Sequence, residues 1–417
     1  MLVPLAVALL VNSFWWPEVC TILLLGIALR EVIARHATIP VGVLPYLLIF
    51  GTIVTLGMIG AIRHSPYEVI KDLWYFTNPS IAFIAGYVLT RAGVRFGTIL
   101  STFMIVGFIT AIVHLGLMIF SVGMEGAETI SEIRGLAGPG YFATVVAFAV
   151  GLVMWPARGM LPLWLRTGVW AHIVVAITFV SIVLSFSRTL WLCIAIVVVL
   201  TVARTWHTNR ASLAVGALAI LVVSAVTFWV STSDTAFAEK VTDSLSELGA
   251  VDFASSSEIN RHWRAFESAA ALDTFTSAGW VKMLFGHGFG KQIDLGITFE
   301  LAGSTYDEIP ILHNGYLYAL VKTGIVGLML VVTLLYLLYR KQAVWFALRD
   351  TRTTTVETLI RIIVLILVAI TFFVGGLFNS EFCVPAMLFL GCCFSYLNGI
   401  AAHWSRVGSV RPVVDVI

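Results

Sequence analysis

Apolar residues run along this chain in long, nearly unbroken blocks, and the polar positions gather between them. The blocks lie at about 2–15, 18–34, 38–62, 74–91, 97–122, 139–157, 163–186, 188–203, 211–231, 311–339, 358–377 and 382–400. A helix needs about 20 apolar residues to cross a hydrocarbon core ~30 Å thick. The pattern therefore predicts an all-α, polytopic bundle of about twelve spans. Pro17 and Glu18 interrupt the first block, which also lacks a basic leader and a small-residue cleavage site, so it reads as a first span or signal anchor. The blocks 163–186 and 188–203 meet with almost no loop and the second is short, so one of the two is expected to tilt or break.

One stretch departs from this pattern. Residues 232–310 are largely polar, which divides the chain into N-terminal helices (1–231), a long loop (232–310) and C-terminal helices with a tail (311–417). Within the loop, Phe237, Val241, Leu245 and Leu248 form one helical stripe. Ile259, Phe266 and Ala270 form another, with Trp263 at its edge. Such stripes suit helices lying against the bundle or on the membrane surface. A glycine-rich turn, Gly286-His287-Gly288-Phe289-Gly290, follows. It lacks the GK[ST] ending of a phosphate-binding loop and reads as a place where backbone passes close to another element.

Composition supports the membrane reading. The chain is 59% hydrophobic and 12% charged, with a mean hydropathy of +0.97, whereas soluble domains carry about 25% charged residues. A net charge of +2 says little about partners, and no nucleic-acid partner is expected. The five cysteines, Cys20, Cys193, Cys383, Cys392 and Cys393, sit in apolar runs and read as packing residues. No spacing suits a metal site, so neither metal nor cofactor is expected. Basic residues set the orientation. With 232–310 outside, Arg30, Arg35, Arg91, Arg95, Arg158, Arg204, Arg210, Arg340, Lys341, Arg349, Arg352, Arg406 and Arg411 fall inside. Only Arg63, Lys71, Arg134 and Arg188 remain on short outer loops, and both termini are cytoplasmic.

Charges at the outer ends of spans are the candidates for chemistry. Arg188, at the junction of two apolar blocks, is placed either to hold a phosphate through paired hydrogen bonds or to snorkel to headgroups. Arg261 and Arg264, spaced i and i+3, make a two-pronged anion site or a solvated face paired with Glu258 and Glu267. His313 stands where the loop re-enters the membrane, as a general base or as a cap for the next helix. His114 and His172 lie within apolar blocks and suit interhelical hydrogen bonds. Lys322, one turn from Tyr318, is expected to snorkel or pair internally.

Ser187-Arg188-Thr189, the loop arginines and His313-Asn314, followed after nine residues by Gly324-Ile325-Val326-Gly327, come in an order that resembles the O-antigen ligase and O-antigen polymerase superfamily of bacterial membrane glycosyltransferases. The His-Asn-x9-Gly-x-x-Gly pattern is similar to the histidine motif of the ligases. The resemblance runs loosely over 163–339. It implies a helical GT-C-type fold in the inner membrane. It also implies transfer of a glycan from polyprenyl diphosphate to an acceptor hydroxyl at the periplasmic face, without metal and with inversion. The acceptor is a lipid A–core sugar in a ligase and the next lipid-linked repeat in a polymerase. On this resemblance His313 matches the catalytic histidine, and Arg188 with Arg261 or Arg264 matches the diphosphate-binding arginines. Asn314, within the histidine motif, and Lys71 and Arg63, which no motif supports, are accessory candidates. A transporter or flippase remains a different-class alternative, but no internal repeat is visible and the charges cluster at one face.

Overall fold

The computed structural model describes residues 2–14, 17–35, 41–123, 130–166, 168–205, 259, 262–301, 304–340 and 350–407. It is a helical bundle. The helices are α1 (Leu2–Phe14), α2 (Pro17–Arg35), α3 (Leu44–Ile59), α4 (Pro66–Arg91), α5 (Phe96–Gly123), α6 (Ile130–Ala137), α7 (Phe142–Val153), α8 (Leu163–Arg166), α9 (Val169–Leu184) and α10 (Arg188–Thr205). In the loop come α11 (Trp263–Thr276), α12 (Trp280–Phe285) and the strands β1 (Ile293–Leu301) and β2 (Ser304–Ile309). Three long helices close the chain: α13 (Gly315–Arg340), α14 (Thr351–Val374) and α15 (Ser380–Val407).

Each expected span that lies among the described residues falls on helix. The block 211–231 and the stripe 236–249 lie outside them. Among the described residues, five helices are long and apolar enough to cross a membrane: Leu44–Arg63, Phe96–Gly123, Gly315–Arg340, Thr351–Val374 and Ser380–His403. The others are shorter or more charged; α4, for instance, carries Glu68, Lys71 and Asp72 in its first two turns. Lipid-facing positions show as apolar side chains left bare, such as Ile105, Ile109, Ile112 and Ile119 along α5. This is a multi-pass helical membrane protein.

The helix ends sort into two groups, as alternating spans require. At the end that carries the loop, Asn12 donates to the Glu381 carbonyl at 3.2 Å. Phe14 there meets Tyr141 edge-on at 4.9 Å, and Gly140 lies against Ser185. At the opposite end, Phe96 stacks on Tyr396 at 4.3 Å and Arg204 donates to the Thr355 hydroxyl at 3.0 Å. The tightest crossing is α4 on α15. A Cβ on Gly86 would meet the Leu388 carbonyl and one on Gly391 the Phe83 carbonyl, so bare backbones let these helices approach. The cysteines are buried and free, as packing residues should be.

The loop adds two features to the sequence reading. β1 and β2 form an antiparallel hairpin pairing Ile293 with Ile309 and Leu301 with Ser304. Ile293, Leu295, Ile297, Phe299 and Leu301 alternate with more polar or smaller residues, a period-2 signal at home in a strand. The second amphipathic stretch falls on α11, Trp263–Thr276. Its stripe packs on the hairpin, with Ile259 and Phe266 against Leu295.

The expected break between 163–186 and 188–203 falls at Ser185–Ser187. Phe186 has φ 49, the only described non-glycine residue with positive φ. Polar contacts secure this strained turn. The Ser185 hydroxyl accepts from the Ser187 amide at 3.2 Å, and the Trp191 indole donates to the Val183 carbonyl at 3.0 Å.

Candidate active site

The glycine-rich turn shows how the loop is anchored. Gly324 breaks α13 with φ 69 and ψ −172, which frees the carbonyls of Val321 and Lys322. The turn supplies their partners: the His287 amide donates to Val321 at 2.9 Å and the Gly288 amide to Lys322 at 3.0 Å. Free backbone groups at membrane depth cost several kcal/mol unless matched inside the protein. Phe289 is fully buried, and its amide donates to the Gly57 carbonyl of α3 at 2.6 Å. A side chain on Gly286 or Gly288 would strike backbone of Lys322 or Gly60, and both have φ near +90, at 84 and 92. Only glycine meets both demands. Burial and the charges of Lys282 and Lys291 push the His287 imidazole down to about 4.

A buried polar knot lies beside this plug. Lys322 donates to Asp72 at 2.6 Å, with side chains 1% and 0% exposed. The Gly290 amide shares the same carboxylate oxygen at 2.6 Å. The Tyr318 hydroxyl donates to the other oxygen, and the Lys322 ammonium also reaches the Lys291 carbonyl. Lys322 thus pairs internally, and the knot joins α4, α13 and the loop.

A second pair stands where the loop enters α13. Glu267 of α11 grips His313 twice: Oε1 accepts the backbone amide and Oε2 contacts Nδ1, each at 2.7 Å. An ionised carboxylate only accepts, so Nδ1 carries the hydrogen and the Nε2 lone pair is left available. The Glu267 side chain is 2% exposed and that of His313 50%. Asn314, not His313, caps the helix, its Oδ1 accepting from the amides of Tyr316 at 3.0 Å and Leu317 at 3.2 Å. Sequence reading had paired Glu267 with Arg264. The pairing with His313 spans 46 residues and left no local signal.

Arg264 lies one helical turn before Glu267, on a neighbouring part of the same face. Its charge is felt by Arg134 of α6. Burial, and then the positive charge of Arg264, lowers the proton affinity of the Arg134 guanidinium. Its Nε is buried without a hydrogen-bond partner, and neither arginine has an acidic partner among the described residues. Two guanidiniums held together without a counter-ion make a place for an anion. Arg188, at the first position of α10, is exposed at the same end of the bundle. Arg261 lies outside the described residues. Lys71 is drawn to Glu68 at 3.9 Å, and Arg63 is exposed on the turn after α3. His114 bonds Ser181 between α5 and α9 at 3.0 Å, whereas His172 turns back to the Gly168 carbonyl within its own helix at 2.5 Å. No group of potential metal ligands occurs among the described residues.

A cavity of about 320 Å³ opens beside His313, with Glu18, Tyr75, Tyr318, Asn379 and Ser380 also on its walls. Residues 173–332 match the family model described as O-antigen ligase. This segment of the chain is similar to the O-antigen ligase family. The matched segment reaches from α9 to α13, so it contains Arg188, Arg264, Glu267 and His313. No curated protein matches the chain. Proteins of this superfamily work on a lipid-linked glycan and an acceptor.

Proposed function

We propose that this protein is a membrane glycosyltransferase of the ligase type, acting at the periplasmic face of the bacterial inner membrane. Its donor is a glycan on polyprenyl diphosphate, and its acceptor is a hydroxyl of lipid A–core. The frame is the twelve-span GT-C-type bundle, with 1–231 and 311–417 as its two membrane parts and 232–310 as the periplasmic piece. The observation that carries the reading is the grip of Glu267 on a half-exposed His313.

In this mechanism His313 Nε2 takes the proton of the acceptor hydroxyl as its oxygen attacks the anomeric carbon. The carbon–oxygen bond to the diphosphate breaks from the opposite side, and the diphosphate leaves with the bonding electrons. Attack from the rear inverts the centre. Glu267 keeps the ring in the basic tautomer and stabilises the imidazolium that forms. Arginines meet the negative charge that builds on the leaving group, since guanidinium stays protonated throughout. Arg264 and Arg188 take this part, with Arg261 as the alternative loop arginine and Arg134 as a further cation beside Arg264. Asn314 serves by holding the start of α13. The same chemistry on a growing lipid-linked glycan would make the protein a polymerase, and the similarity of the histidine motif to that of the ligases favours the first reading.

His313→Ala is expected to lower glycan transfer by about 10²- to 10⁴-fold while the protein still inserts and accumulates. Full activity in that variant would remove the general-base role. Gel analysis of lipid-linked glycans in a strain carrying Arg188→Ala separates the two acceptors. Ligase loss leaves full-length polymer on its lipid, whereas polymerase loss leaves single units.

A further inference from the structure

The cavity beside His313 differs sharply in charge from the arginine side. Glu18 stands at its wall in the first turn of α2, exposed and without a hydrogen-bond or ion-pair partner among the described residues. Among the described residues, no lysine or arginine lines it. A carboxylate there repels a diphosphate at close range and so turns the donor's leaving group toward Arg264 and Arg134. What it attracts is a set of hydroxyls, each able to donate a charge-assisted hydrogen bond to a carboxylate oxygen.

The remaining walls suit the same ligand. The Ser380 hydroxyl accepts from the Asn78 amide at 2.6 Å, which leaves its own hydrogen to donate. Asn379 uses its carbonyl oxygen on the Glu381 amide at 3.0 Å, and its NH₂ makes one long contact of 3.5 Å to Val374, so a donor hydrogen remains. Tyr75 adds a hydroxyl and a ring, and Phe378 adds a second apolar face. Donors, one acceptor of full charge and flat apolar surfaces together recognise a sugar, whose hydroxyls project at the edge and whose C–H groups cover a face. At about 320 Å³ the space lies at the small end of ligand pockets.

We propose that this cavity is the acceptor subsite, that it takes a neutral glycosyl unit, and that Glu18 is its specificity-determining residue, with Tyr75 and Asn379 in support. The assignment rests on the transferase reading above. It gives His313 two unlike sides, an anionic sugar cavity on one and the cationic diphosphate site on the other, with the reacting hydroxyl between them.

The test uses the full chain in lipid nanodiscs and two probes. Methyl β-D-glucopyranoside, methyl β-D-galactopyranoside and methyl α-D-mannopyranoside are screened by saturation-transfer NMR, and undecaprenyl diphosphate is followed by a sedimentation binding assay. Wild type is expected to bind at least one glycoside and the diphosphate. Glu18→Ala should weaken glycoside binding by about tenfold or more and leave diphosphate binding unchanged. Tyr75→Phe, which removes only a hydroxyl, should weaken it less. Because Glu18 is exposed, its variant folds, and retained diphosphate binding checks this within the same experiment. Glycoside binding that is absent in wild type, or unaltered in Glu18→Ala, overturns the subsite. Diphosphate binding that falls with Glu18→Ala in parallel with the glycoside also overturns it. If glycosides bind through Glu18 but wild type ignores the diphosphate, the transferase reading fails and with it the acceptor assignment.

Discussion

Two carboxylates each hold a basic side chain at the start of α13, Asp72 of α4 on Lys322 and Glu267 of the loop on His313, and the two pairs differ in one respect. Asp72–Lys322 is closed on both sides, with 0% and 1% of the side chains exposed. Glu267–His313 is closed on the carboxylate side alone, leaving half the imidazole open. In the first, all the bonding capacity is turned inward to a tyrosine, a backbone amide and a backbone carbonyl. In the second, one nitrogen is spoken for and the half-exposed ring borders a cavity. A buried pair whose partners satisfy each other holds structure, whereas a pair with one unsatisfied, accessible atom holds that atom in readiness.

The comparison predicts opposite failures. Asp72→Asn leaves an unneutralised ammonium in the bundle and is expected to cost about 3–5 kcal/mol of stability, seen as a large drop in the detergent-solubilised thermal midpoint. A companion variant with Lys322→Met as well should recover part of the loss. An unchanged midpoint in the single variant would break the distinction. Glu267→Gln should do the reverse. The midpoint moves little, while kcat for transfer falls by about 10²-fold, at the lower end of what positioned proton transfer supplies, and donor KM stays level. A matching rise in donor KM would show Glu267 to be a substrate contact instead.

Smaller effects sharpen the contrast further. Arg134→Gln should raise donor KM by about tenfold, the scale of one charge-assisted hydrogen bond, with kcat nearly kept; an unaltered KM would show that Arg134 serves only to pack α6. The smallest expected change concerns His287, whose folded-state value of about 4 lies below the ordinary 6.5. A depressed histidine stabilises the fold fully above about pH 6.5 and loses that contribution as pH falls toward about 4. The gap in midpoint between wild type and His287→Asn should therefore narrow across that window. A constant gap would show that His287 stays neutral for no energetic reason.

How much of this was legible in the sequence depended on range. The positions of the helices and the break before Arg188 were readable because apolar runs and their interruptions are local. The internal pairing of Lys322 was also foreseeable, since an ammonium in an apolar run must find a partner or reach the surface. Glu267 was invisible as the partner of His313, because only the fold brings α11 to the start of α13. The hairpin was readable in principle. Its alternating Ile293, Leu295 and Ile297 make a shorter and weaker signal than the helical stripes before them. Arg134 was recognised as a basic residue on an outer loop, but its nearness to Arg264 required the packing of α6.

The break at Gly324 also bears on how the chain is put into its membrane. A helix with two bare carbonyls is a poor guest in hydrocarbon until Gly286 and its neighbours arrive. Those residues are synthesised shortly before α13, so cap and helix leave the ribosome as near neighbours. Their common seat against Gly57 is made much earlier, with α3. Folding of this segment therefore needs a docking step, in which Phe289 and Gly288 seat against Gly57 and Gly60 of a much earlier part of the chain.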